Sequence, residues 1–160
     1  MIALVEHVER GQVAVHRTYL RWDGSDKADL PKEQRRASLG PIGGGAVRLA
    51  MPRAGEWLLV GEGIESTAAA MVSCNLPGWA ALSAGGIRSL VLPPELTRII
   101  IIADHDSNGV GQRAAHDASA RWRAEGRRVR VALPPEPDTD FADVLCGQVP
   151  TKIKEARDVA

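Results

Sequence analysis

No stretch of this 160-residue sequence approaches the ~18–20 consecutive apolar residues that a membrane-spanning helix needs, so it does not read as a membrane protein. The opening MIALVEHVER carries acids and no small-residue cleavage site, so it does not read as a signal peptide. Cysteine is scarce. Cys74 and Cys146 match no zinc spacing and read as small core residues in a reducing compartment rather than as ligands or a disulfide. An excess of either charge is also missing: Lys and Arg number 20, as do Asp and Glu, so affinity for a polyanion must come from a local patch. The glycine-rich stretches VGEG and GPIGGG lack the Gly-x4-Gly-Lys-Ser/Thr pattern of a phosphate loop, and GEGIES breaks the dinucleotide fingerprint at its last glycine. A cytoplasmic protein is the expectation that remains.

What is present is ordinary globular material, 44% apolar and 25% charged, enough for one domain with a genuine core and a small appendage. Residues 2–9 and 12–20 are β-branched runs separated by Arg10-Gly11 and predict a hairpin. Residues 22–45 are polar and punctuated by Gly and Pro, predicting a long loop with a short helical turn, and AVRLA (46–50) reads as a further strand of the N-terminal sheet. From residue 56 strands and helices alternate. EWLLVG predicts a strand, and Ile64, Ala68 and Val72 one face of a helix. GWAAL (78–82) is the next strand, followed by a helix held to about two turns by Gly85-Gly86 and Pro93-Pro94. RIIIIAD is a strand, Val110, Ala114, Ala118 and Trp122 mark a helix stopped by Gly126, RRVRVAL is a strand, and DTDFADVLCG a short acidic helical turn. This alternation means an α/β fold with a mainly parallel sheet flanked by helices, and a small N-terminal subdomain built on the hairpin.

In open α/β sheets functional groups gather at the carboxyl ends of the strands. Glu62 follows WLLVG, Asp104 and Asp106 follow IIII, and Asp138, Asp140 and Asp143 follow the last strand. Extended backbone turns residues i and i+2 to the same side, so Asp104 and Asp106 can converge while His105 points away. Two carboxylates ~4 Å apart repel by about 4 kcal/mol at an effective dielectric near 20, so either one is protonated or a cation neutralises them. Oxygen-only donors favour Mg²⁺ or Mn²⁺, as in phosphoryl transfer. A single acid at a strand end is as readily a helix cap, and Asp106 or Asn108 can play that part for the helix near Val110.

LLVGEGIESTAAAM followed by IIIIADHDSNGVGQRAA resembles the Toprim domain shared by bacterial-type primases, topoisomerases and some nucleases. Glu62 matches the family's glutamate, and Asp104 and Asp106 its Asp-x-Asp pair. The run through Asp106, Gly109, Ala114 and Ala115, with one extra position, is similar to the primase-type branch. PPEPDTDFADVL is similar to the element that closes Toprim domains of phage and plasmid primases, so Asp140 and Asp143 carry over, with Thr139 and Phe141 where lysine and tryptophan are usual. VAVHRTYLRWDGSDKA and LGPIGGGAVRL resemble the segment ahead of Toprim in mobile-element primase–helicase proteins. The resemblance implies a Toprim catalytic domain over residues 53–148, a β-rich segment with a basic loop over 1–52, and a C-terminal tail or helix over 149–160. It also implies Mg²⁺ or Mn²⁺ held by Asp104 and Asp106 with Asp140 and Asp143, and Glu62 as general acid, base or third ligand. The implied reaction is RNA-primer synthesis from nucleoside triphosphates on single-stranded DNA, alongside a helicase domain or protein. Open beside it stand a Toprim-type nuclease and a non-catalytic nucleic-acid-binding module. The chain has neither a zinc-binding module nor a helicase motor, so whether it acts alone is also open.

Several further residues have a functional reading and a plain one. Lys27, Lys32, Arg35 and Arg36, with Arg48, form a cluster able to track a nucleic-acid backbone or simply to be solvated. Arg88 suits a nucleotide phosphate if it faces the acidic rim, and is a surface arginine otherwise. Gly63 keeps the turn beside Glu62 tight at a candidate nucleotide site, and Gly43 to Gly45 form a flexible loop end whose amides can also meet a phosphate. His116 is expected in solvent. Trp57, Trp79 and Trp122 fit the core, leaving Trp22 as the plausible base-stacker.

Overall fold

The computed structural model describes residues 1–104, 108–136, 139, 141 and 142. The expected hairpin opens the chain: β1 (Ile2–His7) pairs antiparallel with β2 (Gly11–Thr18). Alternation along β2 turns Ala14, His16 and Thr18 inward. The segment 22–45 is more structured than its composition predicts. It contains a single helical turn, α1 (Lys32–Arg35), and then β3 (Arg36–Leu39), which pairs antiparallel with β2 to complete a three-stranded sheet. Pairing with an open edge, not burial, makes this strand, so no hydrophobic alternation announces it. The glycines after it are likewise firm. Gly44 adopts φ +79°, donates its N–H to Ser89 Oγ and accepts from Val91 N–H, and its Cα faces His7 so closely that a side chain would collide.

Strand β4 (Val47–Arg48) corrects a second expectation, because it joins the other sheet. Its backbone link to the hairpin is through Ala46, which exchanges two hydrogen bonds with Glu6 at 2.9 and 3.0 Å. The alternating part follows: β5 (Leu58–Gly61), α2 (Ile64–Cys74), β6 (Gly78–Ala80), α3 (Ala84–Ser89), β7 (Arg98–Ile102), α4 (Val110–Ala124) and β8 (Arg128–Ala132). These strands form a five-stranded sheet in the order β4-β6-β5-β7-β8, parallel except for β4. Gly126, at φ +85°, follows α4 as expected. Arg127 fastens the loop before β7 by donating to the carbonyls of Leu92, Pro93 and Leu96.

Both faces of this sheet are covered, which is why its central strands are continuous apolar runs. Leu58, Val60, Ile99 and Ile101 meet α3 and α4 through Ile87, Leu90, Ala115, Ala118 and Trp122. Leu59, Ile100 and Ile102 meet α2 and Phe141 on the opposite face. Val5, Ala14, Val47, Ile64 and Ala80 form a third cluster that unites the two sheets. Trp79 and Trp122 are buried as expected, whereas Trp57 is only half-buried and stacks under the Arg130 guanidinium at 4.8 Å.

Helix α2 does not bury the face its aliphatic spacing predicts. Ala68 is exposed and Val72 is 70% exposed, while Ile64, Ser66, Thr67, Ala69 and Ala70 turn inward. The reason lies in the strands beneath. Gly61 and Gly78 have no side chains, so the helix settles close enough for Thr67 and Met71 to occupy the space a Cβ would take. The buried Thr67 hydroxyl is satisfied by donating to Gly63 O at 2.6 Å. Gly61→Ala should overpack this seam against Thr67 and Ile102 and cost about 1–3 kcal/mol, read as a lowered urea midpoint at unchanged slope.

Candidate active site

Strands β5 and β7 are neighbours and parallel, with Gly61 opposite Ile102. Glu62 therefore stands one residue past the end of its strand and Asp104 two past the end of the next, on strands ~4.8 Å apart. Their connections diverge. Helix α2 leaves β5 over one face and α4 leaves β7 over the other, as the two separate core clusters require. Where two exits part in this way, a crevice opens at the carboxyl rim. Both acids are half-buried there.

The rim is held by backbone contacts. Ala81 N–H donates to Gly61 O at 2.8 Å and Ala103 N–H to Ala132 O at 3.1 Å, carrying the ladders to the last residue before each acid-bearing turn. The first turn of α4 lies against Asp104 itself: a Cβ on Gly111 would sit 3.3 Å from Asp104 O. Asn108 Oδ1 accepts from Val110 N–H at 2.9 Å, so Asn108 meets one of the amides at this helix start, whose N-cap is Gly109. Gly63 precedes α2 at φ −91°, and a side chain would meet only Glu65 and Ser66 at 3.7 Å, so the turn does not demand glycine.

The other expected site residues divide. Lys27 comes to the rim, with its Nζ 3.3 Å from Glu65 Oε1 in the first turn of α2. Arg36 is exposed on β3, and Arg35 turns its Nε to Leu30 O at 2.6 Å. Lys32 opens α1, and its side chain lies outside the described residues. Arg48 is drawn inward: its guanidinium lies 4.5 Å from the Trp79 ring centre and 3.4 Å from Glu6, where it braces the two sheets rather than facing a ligand. Arg88 pairs with Asp117 on α4 at 2.9 Å, and that hydrogen bond holds the Asp117 carboxyl below its ordinary range, so Arg88 is a surface arginine of the α3–α4 face. His116 is exposed as expected. Asp106, Asp138, Asp140 and Asp143, with His105 and Cys146, lie outside the described residues. Among the described residues no three His, Cys, Asp or Glu side chains cluster as metal ligands.

Two residues, one at this rim and one on the first sheet, went unread in the sequence. Glu65, three positions after Glu62 and in the first turn of α2, receives Lys27; the Glu-x-x-Glu spacing across a strand-to-helix turn was its available signal. His16 is the second. Its Nδ1 lies 2.9 Å from Ser38 Oγ, and its pKa is lowered by burial first and the Arg36 charge second, against a smaller upward pull from Glu65. The inward alternation of β2 was its signal.

A Toprim-domain family model matches residues 57–150. The chain belongs to the Toprim family. Residues 1–49 match a domain of unknown function, DUF7146. Among solved structures, a DNA primase domain from Pseudomonas aeruginosa is similar at 19% identity and TM-score 0.55, over 91% of this chain and 52% of that one. The primase catalytic core of E. coli is similar at 18% and 0.55, over 97% and 49%. A DnaG primase catalytic domain bound to ssDNA is similar at 15% and 0.50, over 91% and 54%. At such identities the likeness is one of fold, an α/β Toprim–primase core. The chain spans about half the length of these structures. No curated protein matches it. Among the described residues of this Toprim chain no helix is long and apolar enough to cross a membrane.

His16 gives the first sheet a pH signature. Its folded pKa is depressed, so below the ordinary imidazole value of 6.5 the unfolded chain takes up the proton first. Its contribution to stability is full above that value and lost as the pH falls toward the folded pKa. Urea midpoints measured from pH 7.5 to 5 should decline, and His16→Gln should flatten the decline.

Proposed function

We propose that this chain is the catalytic Toprim part of a DNA primase of the mobile-element type, joining ribonucleotides on a single-stranded DNA template. The observation that carries the reading is the parallel pairing of β5 with β7, which puts Glu62 and Asp104 side by side just past the carboxyl ends of the strands, in a chain of this family. The donor chemistry of these acids is all oxygen, which fits Mg²⁺ or Mn²⁺ and not a softer metal. Asp104, with Asp106, Asp140 and Asp143, would hold the ion. When bound, it neutralises phosphate charge and makes the attacking hydroxyl more acidic.

Glu62 is the base or third ligand. Its place on a different strand from Asp104 lets it face the crevice without sharing the Asp-x-Asp backbone, so it can take the proton of the attacking hydroxyl. Gly63 leaves the side of the crevice next to Glu62 clear for a nucleoside triphosphate, since a side chain there is sterically allowed yet absent. Lys27, Lys32, Arg35 and Arg36 are the cations for the template backbone, carried by the first sheet and its loop, while Arg48 fixes that sheet to the catalytic one. In this reading residues 1–52 are the template side, 53–148 the catalytic domain and 149–160 a tail. A helicase domain or protein is the expected neighbour.

Two measurements test this. Primer synthesis on oligo-dT templates with nucleoside triphosphates should fall roughly 100-fold or more in Asp104→Ala and Glu62→Gln. Mn²⁺ binding followed by electron paramagnetic resonance should be lost in Asp104→Ala. Undiminished synthesis and metal uptake in both variants would sink the mechanism, and nicking of DNA without synthesis would assign the crevice to a nuclease.

A further inference from the structure

Within the loop that brings Lys27 to the rim, residues 20–27 form a small finger. Leu20 and Lys27 pair as an antiparallel bridge. Arg21 N–H donates to Asp26 O and Gly24 N–H to Arg21 O, both at 2.9 Å. Asp23 Oδ1 accepts from the Ser25 amide at 3.0 Å and its hydroxyl at 2.7 Å. Arg21 is tied to Asp29 at 3.0 Å. The finger's polar groups are thus largely spent on its own shape. At its tip stands Trp22, 105% exposed, the barest of the large apolar side chains among the described residues. Tyr19, at the base, is covered by the Arg17 guanidinium at 5.6 Å, which leaves the Trp22 indole as the uncovered ring.

A tryptophan left in water forgoes the largest apolar burial any side chain offers, and a fixed turn holding it there suits recognition rather than packing. Its place decides by what. The finger is fastened by Lys27 to Glu65, in the first turn of α2 and three residues past Glu62, and its tip lies ~7 Å further along the strand direction. We infer that Trp22 is a stacking platform for an unpaired base of single-stranded DNA, next to the crevice between β5 and β7. The inference rests on the primase reading of that crevice and adds the residue that holds the template. Residues 19–36 carry five cations and four acids, so charge alone grips weakly here and the π face must supply the contact.

The test uses the whole chain and oligo-dT bearing one 2-aminopurine, followed by anisotropy and by quenching of the 2-aminopurine. Trp22→Ala should bind about 5- to 100-fold more weakly and lose the quenching, while Trp22→Phe stays within about threefold. The salt slope and the thermal midpoint should not move, because the indole neutralises no phosphate and packs on nothing. Equal affinity of Trp22→Ala and the parent overturns the inference and leaves the primase reading standing. A parent chain with no affinity for single-stranded DNA overturns both. Self-association of the parent that Trp22→Ala abolishes, with DNA binding unchanged, assigns the ring to a protein contact instead.

Discussion

The parallel register of β5 against β7 is the constraint on which the rest depends. Four consecutive pairs, from Leu58–Ile99 to Gly61–Ile102, lock these two central strands together. Because each strand is apolar on both sides, a slip of one residue would keep the hydrophobicity and lose the packing. What forbids the slip is shape. Gly61 must lie under Thr67, and Ile102 must fill the space beside it. Once that register holds, the ends of the strands are fixed, and with them the positions from which Glu62 and Asp104 leave the sheet.

The first sheet is attached to this centre by few but varied contacts. Glu6 and Ala46 exchange backbone hydrogen bonds, the Arg48 guanidinium bridges Glu6 and Trp79, and a small apolar cluster from Val5 to Ala80 fills the seam. Arg48 is the residue that makes the seam polar and tight together, since its stem and charge are both used. The sheet's position follows from these contacts, and so does the delivery of Lys27 to the first turn of α2. A basic loop remote in composition from the acids is thereby made their neighbour.

Much of this was legible in the residues. The alternation of strands and helices, the isoleucine strand and the four-residue repeat of α4 followed from periodicity, and the acids fell at strand ends by the same reasoning. The Toprim resemblance rested on those same positions. What escaped has physical causes. Helix α2 is built of Ala, Ser and Thr, whose choice of face is made by the two glycines under it and not by their own hydrophobicity. A two-residue strand such as β4 has too little pattern to say which sheet it joins, and β3 forms by edge pairing with one half-buried residue. Arg48 and Arg88 looked available because their partners, Glu6 and Asp117, lie far off in the chain. No local rule pairs residues at such separations.

The Lys27–Glu65 contact sits partly in water, with about a third of each side chain accessible. Ion pairs of that kind weaken as dissolved salt rises. The clasp between the first sheet's loop and the catalytic helix is therefore set by the surrounding electrolyte as well as by the chain. Ions too diffuse to occupy any site would still loosen or tighten the approach to the crevice.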